Sequence, residues 1–314
     1  MARLQVLNRS PSPTGQGDKR TLPVGTRRRS LPVSWPFAVP ALVALVMVLA
    51  YPLIYNLWIS LHIERLSPRD GEFVGLANYV RVLTSGALSE TVLRTLIFTI
   101  GSVLAQFLLG LVIALALEEL PRTARLVRPL LLMPWVMPGV AVAGVWLGIL
   151  NPATGAAEHV AGLLGFGSVG WLSTPAMAMT TLILVNTWKG TCYWMLMISA
   201  GLKTIPRETI EAARLDGASY LQIVLHVILP GLRPVLAAVA VLASVWTFNY
   251  FDLVFLLTNG GPMGSTATLP FVIWESSFKF YRYDLGATYS VVSVLFAAAA
   301  IGLYLFVTRK RVAR

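Results

Sequence analysis

The sequence predicts an all-α integral membrane protein of six transmembrane helices, and three observations carry that prediction. Of 314 residues, 56% are hydrophobic and 12% are charged, with a mean hydropathy of +0.71, a balance foreign to soluble domains. Six charge-poor windows recur along the chain: Trp35 to Ile63, Thr95 to Leu117, Pro129 to Ala157, Pro175 to Gly201, Pro234 to Leu257 and Leu285 to Thr308. Each is long enough to cover roughly 30 Å of hydrocarbon as a helix of about 20 residues. The runs are also unbroken, unlike the alternating strands of about ten residues in a barrel, and lipid offers backbone amides no partner.

Residues 1–34 are rich in Pro, Gly, Ser, Thr and Arg without apolar periodicity, the composition of a disordered basic tail. Arg27, Arg28 and Arg29 precede an apolar window far longer than the core of a signal peptide, so the window reads as an uncleaved first span. Residues 35–314 form the membrane domain. In the loop after span one, Leu76, Tyr79, Val80 and Leu83 have the spacing of a short amphipathic helix. Pro121 and Pro129 bracket a basic connection to span three, and Pro134 and Pro138 within that span are expected to bend it.

Orientation follows from Lys and Arg, which favour the cytoplasmic side of short loops. Seven lie in the tail, three after span two, four after span four and four at the C-terminus, eighteen in all, against five in the opposite loops. Both termini are therefore expected in the cytoplasm. The same topology accounts for the net charge of +11, so nucleic acid is not an expected partner. Cys192 is the single cysteine, and His62, His159 and His226 lack ligand spacing, so neither redox chemistry nor a metal site is indicated.

Charged groups at membrane depth face a bundle interior or a wet cavity. Lys189 in span four and Asp252 in the outer part of span five are the two clear cases. Asn186, Gly190 and Tyr193 share one face of span four, and span five offers Trp246, Thr247, Asn249 and Tyr250 at comparable depth. Amides, hydroxyls and aromatic faces together suit a polyhydroxylated solute, while interhelical hydrogen bonding is the other use of such groups. Lys189 and Asp252 also suit a structural ion pair or the relay of an ion-coupled secondary transporter. A membrane scaffold without a substrate path is a further alternative.

Between spans four and five, residues 202–234 form a charged helical segment. Thr204 is a candidate cap, Pro206 suits a first turn, Glu208 and Glu211 favour the positive helix end, and Gly217 permits a sharp bend. A second helix is expected from about Ser219 to a stop before Pro230, making a two-helix knob with Ala212 and Ala213 exposed.

Glu211-Ala212-Ala213, then Gly217, then Leu229-Pro230 resembles the EAA signature of binding-protein-dependent ABC importer permeases, with Val227 in the usual isoleucine place. Lys203 to Pro206 and Asp216-Gly217-Ala218 are similar to the carbohydrate branch. Phe251-Asp252 followed by LTNGGP, Leu257 to Pro262, resembles the maltose-type subunit of two-permease sugar importers. The resemblance covers roughly residues 35 to 310. It implies a type I importer permease in a prokaryotic cell membrane, working with a second permease, two ABC ATPase copies and an extracytoplasmic solute-binding protein. It implies ATPase docking by Glu211, Ala212, Ala213, Asp216 and Gly217, and sugar binding by Asn186, Gly190, Tyr193, Thr247 and Tyr250. Cys192 stands where that family often has proline. The chain has no GxxxxGK[ST] phosphate loop, so ATP and Mg are expected on the partner ATPase, with no cofactor or catalytic residue here.

Overall fold

The computed structural model describes residues 35–63 and 71–312, and the tail expected to be disordered lies outside them. Helix α1 (Trp35–Ser60) is apolar throughout and long enough to cross a membrane. The chain to Tyr51 forms one compact unit, and Pro52 onward forms a second, to which all that follows belongs.

In the second unit, a two-residue hairpin of β1 (His62–Ile63) and β2 (Glu72–Phe73) leads to α2 (Ala77–Thr84), α3 (Ala87–Glu119), α4 (Pro121–Val136) and α5 (Gly139–Ile149). Then come α6 (Ala156–Leu163), α7 (Pro175–Leu202) and α8 (Arg207–Leu215). A continuous helix follows, made of α9 (Tyr220–Ile223), a π-helical turn (Val224–Ile228) and α10 (Leu229–Phe248). The short α11 (Asp252–Leu257) and α12 (Leu269–Trp274), a second π turn (Glu275–Lys279) and α13 (Tyr283–Val312) complete it.

Helices α1, α3, α9–α10 and α13 are each long and apolar enough to span, and α4 with α5 is a broken fifth, bent by 100°. Helix α7, 28 residues or about 42 Å long, is long enough to span but is not among the helices apolar enough to do so by composition. Most of its polar groups face protein: Thr181, Asn186, Thr187, Thr191 and Ser199 are buried. Its most extensive partner is α3, and the pairing depends on missing side chains. A Cβ on Gly101 would meet Ile183 at 2.9 Å, one on Gly110 would meet Trp194 Cβ at 2.5 Å, and one on Gly190 would meet the Gln106 amide at 2.4 Å. Small residues let membrane helices approach closely and let their dispersion contacts and hydrogen bonds form. The order of these contacts shows that α3 and α7 run in the same direction.

Four local expectations change. The basic connection at residues 121–129 is helix α4, which starts on Pro121 and carries Pro129 and Pro134 inside it. Pro138 alone breaks the span, because a residue before proline is disfavoured in the α region, and Met137 is extended with ψ 133°. The helix from Tyr220 does not stop before Pro230: the wider π turn carries it past the proline, with Leu229 N donating to Val224 O instead of to the usual carbonyl. The window Pro234 to Leu257 is not one helix, since α10 ends at Phe248 and α11 turns away to pack on α5.

The amphipathic helix expected near Leu76 exists as α2, but its apolar stripe faces outward. Leu76, Val80 and Leu83 are exposed, whereas Asn78 and Val82 are buried. Asn78 decides this orientation, because its Nδ2 donates to Ser60 O at 3.0 Å and to His62 O at 2.9 Å, and a buried amide is stabilised only where it finds partners. Helix α6 is anchored by Glu158, whose Oε1 accepts from Ser168 Oγ at 2.5 Å and from Val169 N at 2.9 Å. The Ser168 hydroxyl holds that carboxyl below the usual range.

Asn78→Ala is expected to cost about 1–3 kcal/mol by stranding two buried carbonyls, read as a lower thermal midpoint in detergent. Asp284 is fully buried at the start of α13 and receives Arg282 Nε at 3.1 Å and Nη2 at 3.0 Å. Asp284→Asn should cost about 2 kcal/mol, less than a fully buried pair because Arg282 keeps partial access to water. An unchanged midpoint would deny that anchor.

Candidate functional site

The close packing of α3 on α7 leaves a cavity of about 120 Å³ between α3, α4, α7 and α10. Asn186, Gly190, Tyr193, Thr247 and Tyr250, the five residues expected from the sequence, all line it. Gln106, Trp135 and Ala243 complete the lining with Lys189 and Trp246. Gln106 was legible as the one side-chain amide in an otherwise apolar span, a residue type that is costly in lipid. Trp135 lies between Pro134 and Pro138 in the span expected to bend, and no polar neighbour in sequence marked it.

Each wall has a local cause. Gln106 is 3% exposed and its Nε2 donates to Asn186 O at 3.0 Å. Its amide fills the space that a side chain at 190 would need, so glycine at 190 makes room for a neighbour. Three aromatic rings form one side, with Trp135 stacked on Tyr193 at 6.4 Å and Tyr193 tilted against Trp246 at 5.1 Å. The Asn186 Nδ2 and Tyr250 hydroxyl are buried without a partner among the described residues, and both belong to residues that line the cavity. Donors beside flat aromatic faces are what a polyhydroxylated solute engages.

Lys189 and Asp252 are not a direct ion pair among the described residues. Lys189 Nζ instead donates to Met137 O at 2.5 Å, and Asp252 lies against Gly139.

The hairpin at the C-terminal end of α7 is the second site. Helix α8 begins after Pro206, not on a Thr204 cap, since Thr204 Oγ1 donates to Gly201 O at 2.8 Å. It ends in a Schellman motif, with Ala218 N donating to Ala213 O at 3.0 Å and Gly217 N to Arg214 O at 3.1 Å. Gly217 sits at φ +80°, the left-handed value that only glycine adopts without strain. Ser219 and Gln222 then cap α9 reciprocally, an S-x-x-Q signature visible in the sequence.

Of the five residues expected here, Glu211, Ala212, Asp216 and Gly217 are exposed. Ala213 is not fully so, because it packs with Ile210 and Ala218 against the core. Leu215 at the tip is 88% exposed. Behind the hairpin lies a groove of about 350 Å³ lined by Lys203, Arg207, Glu211, Arg214, Glu118 and Glu119 among others. Arg214 Nη2 approaches Glu119 Oε1 at 3.6 Å there, tying α8 to the end of α3.

The model of the family described as "Binding-protein-dependent transport system inner membrane component" matches residues 106–313. The chain is 31% identical to a trehalose/maltose transport system permease protein of Thermococcus litoralis, over 90% of this chain and 96% of that protein. It is 30% identical to a sulfoquinovosyl glycerol transport system permease protein of Agrobacterium fabrum, over 87% and 89%. Among solved structures, a chain of a bacterial ABC transporter importing alginate shares the fold with a TM-score of 0.75 at 20% identity, over 88% of this chain and 94% of that one. With the family match extending from the middle of α3 through α13, cavity and hairpin included, the chain belongs to the inner membrane components of binding-protein-dependent transport systems.

Proposed function

We propose that this chain is the membrane-spanning subunit of an ATP-driven importer that moves a sugar or sugar-like solute through the cavity between α7 and α10. The observation that carries the reading is the convergence of Asn186, Gly190, Tyr193, Thr247 and Tyr250 on one cavity with two unpartnered donors. Relatives named for trehalose/maltose and for sulfoquinovosyl glycerol support a carbohydrate class. The cavity of about 120 Å³ is below the roughly 300 Å³ at which ligand pockets begin. Trp135 and Trp246 stand half exposed at it. A second permease subunit supplies the remaining wall.

Energy comes from two copies of an ABC ATPase, which bind ATP and Mg, since the chain carries no phosphate loop of its own. The hairpin, with exposed Glu211, Ala212, Asp216, Gly217 and Leu215, is the surface that docks in an ATPase cleft, and Ala213 holds it to the core. This orientation puts hairpin and termini in the cytoplasm, in accord with the Lys and Arg bias, and an extracytoplasmic binding protein delivers solute to the other face. A relay through Lys189 and Asp252 is not favoured, because Lys189 is engaged by a backbone carbonyl.

Reconstituted uptake driven by ATP should require the ATPase partner; uptake by this chain alone along an ion gradient would sink the reading. Glu211→Ala and Gly217→Asp should each uncouple hydrolysis from uptake by at least about tenfold, equivalent to about 1.4 kcal/mol, and full uptake in both variants would exclude the hairpin as the docking surface. Gly190→Ala should lower uptake similarly by displacing Gln106, and Gln106→Ala in that background should recover part of the uptake, with co-purification of the ATPase confirming that both variants assemble.

A further inference from the structure

The broken span leaves two helix ends inside the membrane domain, where the last carbonyls of α4 and the first N–H groups of α5 lack intrahelical partners. Each end is met by a charge of the matching sign from another element. At the C-terminal end of α4, the Lys189 ammonium of α7 donates to Met137 O at 2.5 Å. At the N-terminal end of α5, Asp252 of α11 lies against Gly139, its Cβ and Oδ2 both 3.1 Å from where a Cβ on that glycine would stand. Helix dipoles favour a cation at a C-terminus and an anion at an N-terminus, and the effect grows where water is scarce. Helix α11 also packs along α5, so Asp252 is carried by an element already docked there. The 100° bend between α4 and α5 therefore has an electrostatic holder on each side of Pro138.

We propose that Lys189 and Asp252 are positioning residues that clasp the two ends of the broken span, Lys189 on α4 and Asp252 on α5, and so hold the cavity wall carried by α4. The wall in question is Trp135, two residues before Met137, which lines the cavity and stacks on Tyr193 at 6.4 Å. A change in the bend moves Trp135 across the cavity. The clasp differs from an ion pair between the two side chains, since each charge is matched to a helix end of fixed polarity and exchanging them places both against the wrong ends.

The test is a distance measurement by double electron–electron resonance in the complete importer in lipid nanodiscs, with spin labels at Leu126 on α4 and Leu147 on α5 in a Cys192→Ala background. Lys189→Met and Asp252→Asn should each add a second distance population. Lys189→Arg, which keeps the cation and its donors, should retain the wild-type distribution. The exchange Lys189→Asp with Asp252→Lys should remain as open as the single variants or more so. Wild-type distances in both Lys189→Met and Asp252→Asn overturn the proposal, and so does restoration by the exchange, which would reveal a simple ion pair. Asp252→Asn is nearly isosteric and carries the test if Lys189→Met fails to assemble. Only the link to solute rests on the transport reading of the cavity. The distances are taken without solute, so a failure of the clasp is distinct from a failure of that reading.

Discussion

The close approach of α3 to α7 is the constraint on which the rest depends. Gly101, Gly110 and Gly190 bring no side chain of their own to the seam, and the space is taken by Ile183, Trp194 and the Gln106 amide. Lipid supplies no hydrophobic drive for helices to associate, so contact area and hydrogen bonds must hold them. Gln106 to Asn186 O is one such bond, placed where the helices are nearest. Because that bond and the three glycines determine the rotation of α7, they also determine that Asn186, Lys189 and Tyr193 face the cavity while Leu184 and Trp188 face outward.

From this seam the structure runs outward in both directions. Helix α4 leans on α7, with Cys192 Sγ donating to Leu131 O, and its end is where the span breaks. The far end of α7 leads directly to the hairpin of α8 and α9. From there one continuous helix of 29 residues returns to Ala243 and Thr247 at the cavity, without the stop at Pro230 that the sequence suggested. One continuous helix thus joins the exposed hairpin to the cavity, which gives the proposed coupling a route along a single element.

Legibility in the sequence followed the range of the physics. Local rules served well: Gly217 ends α8, and the spacing around Leu76 makes a helix, since both depend on a few neighbouring residues. The face that α2 turns inward was not legible from apolar spacing, because it is set by Asn78, which bonds to carbonyls at Ser60 and His62, distant in sequence. Asn186, Gly190 and Tyr193 were legible because span four places them on one helical face, and the resemblance singled out Thr247 and Tyr250 among the polar and aromatic groups of span five. Trp135 was not, since its orientation depends on a break whose angle no local rule supplies. Pro129 and Pro134 stay within a helix and Pro138 breaks one, and proline spacing does not distinguish them.

By itself the sequence determined the all-α membrane class, the charge-poor windows, the helical hairpin and the lack of a phosphate loop, because composition, periodicity and spacing act along the chain. Only the tertiary structure decided that α4 and α5 meet at 100°, that Lys189 serves a backbone carbonyl instead of Asp252, and that Gly190 exists to admit Gln106. Each of those outcomes is a contact between residues far apart in sequence. Such contacts are set by which helices pack and in what rotation, a property of the assembled core that no single segment carries.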